Sequence, residues 1–246
     1  KVADVADVDS WAHLDGVKAV WVNSPCNPTG QVIDAAGMRR IVDAARKIGA
    51  VVLSDECYAL MAWNDANDAP ENREASIESS PCALRADVCG GDAYGVLVLY
   101  SLSKQSNMAG YRTACIAGDH TLVRAMTELR KQIGLIVPGP VQAAMAAGLR
   151  DMAAVREQHN RYYSRLSTLV EALRAYGYDA HMPQGALYIW VRTLGDDCWQ
   201  DMGRLADLGI VPSPGEFYGA PQYLRFSATA SDAQITEAAE RLHAAL

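Results

Sequence analysis

The sequence predicts an α/β fold: a mostly parallel sheet sandwiched by helices, followed by a smaller C-terminal α+β domain. Two observations carry this. In the first half, short continuous apolar runs alternate with helical patterns. Runs that are apolar at every position belong to strands covered on both faces, as in parallel sheets with crossover helices. After the breaker Val137-Pro138-Gly139-Pro140 the pattern changes to one long helical stretch and then a mixture of short strands and helices. The expected division is residues 1–140 for part of the large domain and 141–246 for a linking helix and the small domain.

The elements follow in order. Val17–Asn23 reads as a buried strand. Asp34–Gly49 reads as a helix: Asp34 is a cap, Met38, Ile41, Val42 and Ala45 form an apolar stripe, and Gly49 ends it. Val51–Ser54, Val96–Ser101 and Thr113–Ala117 are three further strands. Asn64–Gly95, rich in Asn, Asp, Glu, Ser and Gly, reads as a long surface excursion. A helix is expected from about Thr121 to Ile133, and helix in one or two pieces from Val141 to about Ala175, stopped by Gly177. A strand at Ala186–Val191, a helix at Asp197–Leu208, strands near Ile210 and at Tyr223–Ser227, and a helix from Ser231 complete the chain.

Composition narrows the function. The 246 residues are 50% hydrophobic and 21% charged, enough for one large domain or two small ones. With 22 basic against 29 acidic residues the formal charge is −7, and the basic residues are scattered. That argues against nucleic acid or an anionic membrane surface as partner. No run approaches the roughly 18 apolar residues of a membrane span. The six cysteines show no CxxC spacing and no accompanying histidine cluster, so they are expected to be reduced thiols of a cytoplasmic protein with no metal site. The sequence opens Lys1-Val2-Ala3-Asp4 and then adds more acids, with no basic start followed by an apolar stretch, so no signal peptide is expected.

Open α/β sheets bind ligands at the carboxyl ends of their strands. Three such ends carry reactive polar residues: Ser24 to Gly30 after the first strand, Asp55-Glu56-Cys57-Tyr58 after the second, and Ser101-Leu102-Ser103-Lys104 after the third. Each has an ordinary explanation when taken alone. Asn27-Pro28-Thr29-Gly30 is a good turn, Asp55 a cap, Tyr58 a core residue, Lys104 and Arg112 surface cations. Their order along the chain is what singles them out.

That order, with Asn107-Met108-Ala109-Gly110-Tyr111-Arg112 and Leu224-Arg225-Phe226-Ser227, resembles the class I/II aminotransferases of pyridoxal-phosphate (PLP) fold type I. The resemblance runs from about Val17 to the C-terminus. It implies PLP as cofactor, amino-acid and keto-acid substrates, and a homodimer. PLP is an aldehyde that needs a lysine amine, and the resemblance assigns this to Lys104, which would also carry the proton during transfer. It assigns Asp55 to the pyridine nitrogen and Asn27 and Tyr58 to the phenolic oxygen. Ser101, Ser103 and Arg112 fall to the phosphate, and Arg225 to the substrate carboxylate. A cis bond at Ser24-Pro25 or Asn27-Pro28 would help to aim Asn27.

Within the family, Ser101 to Arg112, Pro214 to Gly219 and Leu224 to Asp232 resemble the actinobacterial N-succinyldiaminopimelate aminotransferases. This implies glutamate as donor and N-succinyl-2-amino-6-oxopimelate as acceptor, in lysine and diaminopimelate biosynthesis. A PLP-dependent carbon–sulfur β-lyase and a non-catalytic PLP-binding regulatory domain are the alternatives. The family's arm, first strands, glycine-bearing phosphate loop and ring-stacking aromatic precede the Asn-Pro motif and are not found in this sequence. The expectation is a missing segment, without which this chain is inactive.

Overall fold

A computed structural model of the chain describes residues 4–63 and 80–245. Its first sheet has the order β1 (Ala19–Asn23), β2 (Val51–Asp55), β3 (Val96–Tyr100), β4 (Cys115–Gly118). The first three strands are parallel, with Asn23 beside Asp55 and Asp55 beside Leu99. Their carboxyl ends therefore open on one side. Helix α1 (Ala35–Lys47) connects β1 to β2, and the Asp34 carboxylate caps it by accepting from the Gly37 amide. Met38, Ile41, Val42 and Ala45 are fully buried, and with Val20, Val22, Val52 and Val98 they form one apolar core. On the opposite face of β1, Trp21 is 55% exposed.

β4 departs from the sequence reading in position and direction. It begins at Cys115, not Thr113, and runs antiparallel to β3. Thr113 is engaged elsewhere: its carbonyl accepts from Ser101 Oγ and its hydroxyl lies 3.3 Å from Met145 Sδ. The expected surface excursion also needs correction. Residues 64–79 lie outside the described residues. Further on, a short helix α2 (Ala86–Cys89) is present, and Ala83 and Val88 are buried in the core of the first sheet. The polar composition of this stretch hid two inward-facing apolar residues.

Helix α3 (Leu102–Gln105) follows β3, and α4 (His120–Gln132) follows β4. The long helical stretch is two helices, α5 (Gly139–Gly148) and α6 (Met152–Tyr176). α5 starts inside the expected breaker, because proline in a first helical turn lacks only an N–H that has no partner there anyway. The remainder is β5 (Tyr188–Arg192), α7 (Cys198–Asp207), β6 (Ser213–Pro214), β7 (Tyr223–Ser227) and α8 (Asp232–Ala244). These strands form an antiparallel sheet, β5-β7-β6. The strand expected near Ile210 is the two-residue β6. Ser231 opens α8 with a reciprocal capping box involving Gln234. Among the described residues no helix is long and apolar enough to cross a membrane.

A second core joins α6, α8, β5 and β7, and it also takes in Tyr58, Met61 and Trp63 from beyond β2. Residues 183–186 tie this core to the loop after β1. Gly185 N donates to Gly30 O, Gln184 Oε1 accepts from Val32 N, Gln184 O accepts from Trp63 N, and Ala186 N donates to Met61 O. Gly30 has φ +72°, and a Cβ there would lie 2.5 Å from Pro183 Cβ. Gly30→Ala should therefore cost about 2–4 kcal/mol, from left-handed backbone strain plus overpacking. Urea unfolding of the purified variant checks this; an unchanged midpoint would show that the junction is slack.

Candidate active site

The parallel register gathers the sequence-selected residues into one open cleft of about 970 Å³ at the carboxyl end of the first sheet. Asn27, Asp55, Tyr58, Ser101, Ser103, Lys104 and Arg112 all line it. Arg225 reaches the same place from β7. Its Nη1 donates to Asn27 Oδ1 at 2.7 Å, across 198 residues of sequence.

Each side chain is held by local physics. The Ser101 hydroxyl caps α3 by accepting from Ser103 N, meets Ser103 Oγ at 2.8 Å and donates to Thr113 O. Two hydroxyls thus face the cleft beside Lys104. Lys104 Nζ lies 5.9 Å from the centre of the Tyr58 ring. Arg112 is exposed and takes a left-handed backbone, φ 51°, with its guanidinium donating to Ala109 O. Asp55 ends β2 and accepts from Cys57 N at 3.2 Å. Behind it, the buried Glu56 carboxylate accepts from Ala83 N and Ser54 Oγ. Burial raises the pKa of Glu56, and those bonds offset part of the shift.

On the other wall, Tyr58 is buried, with its hydroxyl 2.7 Å from that of Tyr188. Burial raises the Tyr58 pKa, so Tyr58 keeps its proton throughout the neutral range. Asn23 Oδ1 accepts from Asn27 N and so orients the turn. Ser24-Pro25 and Asn27-Pro28 are both cis. The Arg225 guanidinium sits 4.2 Å from the Tyr188 ring centre and 5.0 Å from that of Tyr218. Its Nη2 donates to Ser213 Oγ, while its Nε is buried and finds no acceptor among the described residues. Asn23, Tyr188, Ser213 and Tyr218 were not singled out by sequence. The available signal was that Asn23, Tyr188 and Tyr218 lie within segments otherwise noted: the strands Val17–Asn23 and Ala186–Val191, and the stretch Pro214 to Gly219.

An amine, a carboxylate at the end of β2, paired hydroxyls with a nearby guanidinium, and a second guanidinium with a spare donor converge here. The aminotransferase class I and II family profile matches residues 4–242. The chain belongs to this family. It is 43% identical over 239 residues to the 4-dedimethylamino-4-oxo-anhydrotetracycline transaminase OxyQ of Streptomyces rimosus, covering 96% of this chain and 63% of that protein. It is 30% identical over 244 residues to the LL-diaminopimelate aminotransferase of Oleidesulfovibrio alaskensis, covering 97% of this chain and 58% of the relative. Among solved structures, the aspartate aminotransferase of Thermus thermophilus with maleate superposes with a TM-score of 0.76 at 26% identity, over 93% of this chain and 57% of that one. The chain thus spans about three fifths of the length of these relatives.

The family and its fold neighbours are PLP enzymes. The donor set here fits that cofactor: hydroxyls and a guanidinium for a phosphate, a carboxylate for a protonated ring nitrogen, a lysine for an aldehyde. Cys57 also lines the cleft, but burial and then the Asp55 carboxylate push its thiol up to about 12, and burial does the same to Cys82. The thiolate is the reactive form. Iodoacetamide at pH 8 should therefore label Cys57 and Cys82 at least about a hundredfold more slowly than free cysteine, followed by peptide mass mapping. Rapid labelling of Cys57 would mean that the thiol is not buried beside Asp55 as the fold puts it.

Proposed function

We propose that this chain binds PLP and forms the greater part of an aminotransferase that moves an amino group from glutamate to a keto acid. The acceptor we favour is N-succinyl-2-amino-6-oxopimelate, and we place the protein in the cytoplasm as a homodimer. The observation that carries the reading is the bond from Arg225 to Asn27, which joins a carboxylate-binding cation to the cleft holding Lys104, Asp55 and Tyr58.

When bound, PLP supplies an electrophilic carbon and an electron-withdrawing ring. The chain's residues do the rest. Ser101, Ser103 and Arg112 hold the phosphate, Arg112 as a fork. The Asp55 carboxylate keeps a proton on the ring nitrogen. Asn27 spends its single acceptor on Arg225, which leaves its Nδ2 hydrogens to donate to the phenolic oxygen. Tyr58, held in its protonated form, donates to the same oxygen. Lys104 Nζ would be the covalent anchor and, once free, the group that holds the proton taken from the substrate Cα and hands it to the cofactor carbon. Arg225 takes the substrate α-carboxylate with the Nη hydrogens that Asn27 and Ser213 leave free.

One observation favours a second acceptor: the 43% identity to OxyQ, whose name specifies a polycyclic ketone. Comparing the two acceptors after loading with glutamate separates the readings. Product analysis with cystathionine separates both from a β-lyase of the same fold.

The absorbance of the PLP-loaded protein is the first test. A band between roughly 330 and 430 nm should shift with glutamate and be lost in Lys104→Ala. A full-length protein that is folded, supplied with PLP and without such a band would refute the proposal. Arg225→Lys should raise KM for glutamate about tenfold to a hundredfold, the worth of one charge-assisted hydrogen bond. Steady-state kinetics measures this, and an unchanged KM would remove Arg225 from the substrate site.

A further inference from the structure

Tyr188 touches both poles of the cleft by two contacts of different kinds. Its hydroxyl is 2.7 Å from that of Tyr58, and its ring face lies 4.2 Å from the Arg225 guanidinium carbon. It is 5% exposed at the start of β5. Packing alone asks only for a phenylalanine there. A buried hydroxyl is retained at little cost only when it has a partner, and the partner here is Tyr58.

We propose that Tyr188 is a positioning residue that couples the carboxylate-binding arginine to the hydroxyl of Tyr58. The proposal rests on the reading of the cleft given above. Proton counting sets the direction. Tyr58 has one hydrogen, and if it goes to the cofactor's phenolic oxygen, the Tyr58 oxygen must accept. The Tyr188 hydroxyl is placed to donate to it. Each donor in such a chain strengthens the next. The Arg225 cation over the Tyr188 ring makes that hydroxyl a better donor still. A carboxylate arriving at Arg225 offsets the cation, weakens donation by Tyr188, and so weakens donation by Tyr58.

The sign at the cofactor follows. Donation to the phenolic oxygen favours the deprotonated form of the bound cofactor, in which more negative charge sits on that oxygen. Weaker donation therefore raises the pH midpoint of its absorbance change. Tyr188→Phe keeps the ring over Arg225 but removes the hydroxyl. It should raise the midpoint, with a proton affinity about threefold to fivefold higher, as expected for one neutral hydrogen bond.

The experiment is a pH titration of the absorbance of PLP-loaded protein, with and without the non-reacting dicarboxylate maleate. It compares wild type, Tyr58→Phe, Tyr188→Phe and the double variant. Tyr58→Phe should raise the midpoint more than Tyr188→Phe, and the double variant should match Tyr58→Phe alone. Maleate should raise the wild-type midpoint, and raise it less in Tyr188→Phe. A midpoint that Tyr188→Phe leaves in place while Tyr58→Phe moves it overturns the coupling, as does strict additivity in the double variant. If Tyr188→Phe fails to fold, the maleate shift in Tyr58→Phe decides: a shrunken shift supports the coupling and an undiminished one overturns it. A wild type with no pH-dependent band would refute the reading of the cleft itself, and this inference with it.

Discussion

The parallel pairing of β1, β2 and β3 is the constraint on which the site depends. In a parallel ladder every strand must leave on the same side, so whatever follows Asn23, Asp55 and Tyr100 is delivered to one edge. The crossover between β1 and β2 is α1, whose buried face forms a common core with the valines of the strands. That core holds the strand ends in register. The turn with Asn27, the acidic pair with Tyr58, and the serines with Lys104 are then neighbours, and Ser24 N donates to Asp55 O between the first two segments. Side chains on rigid strand ends are placed more precisely than side chains on loops.

The second sheet is brought to this edge by hydrogen bonds of residues 183–186 together with the apolar packing of Tyr58, Met61 and Trp63. Residues 183–186 bond to the Gly30–Val32 loop on one side and to Met61 and Trp63 on the other. The segment Tyr58–Trp63 leaves the first sheet and buries its aromatic rings in the second core. One wall of the cleft is thereby built by chain that belongs to both cores. Arg225 reaches Asn27 from the far side of this junction and is held between two tyrosine rings, with Ser213 steadying one nitrogen. A guanidinium fixed in this way has already lost its rotamer freedom, which is the preorganisation that the proposed carboxylate-binding role would use.

Sequence and structure diverge where the sequence signal is symmetric or short. The apolar run at β4 was visible, but side-chain alternation is the same whichever way a strand runs, so its antiparallel direction was not. The four residues of α2 are too few to show helical periodicity, and the polar stretch around them masked the inward-facing Ala83 and Val88. The start of α5 at Gly139 was obscured because proline signals both a break and a first turn.

The sequence by itself determined the strand ends, their reactive residues and the family to which their order points, because apolar runs, caps and motifs are local properties of the chain. Tertiary structure alone decided that Arg225 bonds to Asn27, that Tyr188 stands between Arg225 and Tyr58, and that residues 183–186 close the junction. The Arg225–Asn27 and Tyr58–Tyr188 side-chain bonds join residues 198 and 130 positions apart. No periodicity or spacing rule reaches that far. Only the folding of two cores against one another sets which distant side chains meet.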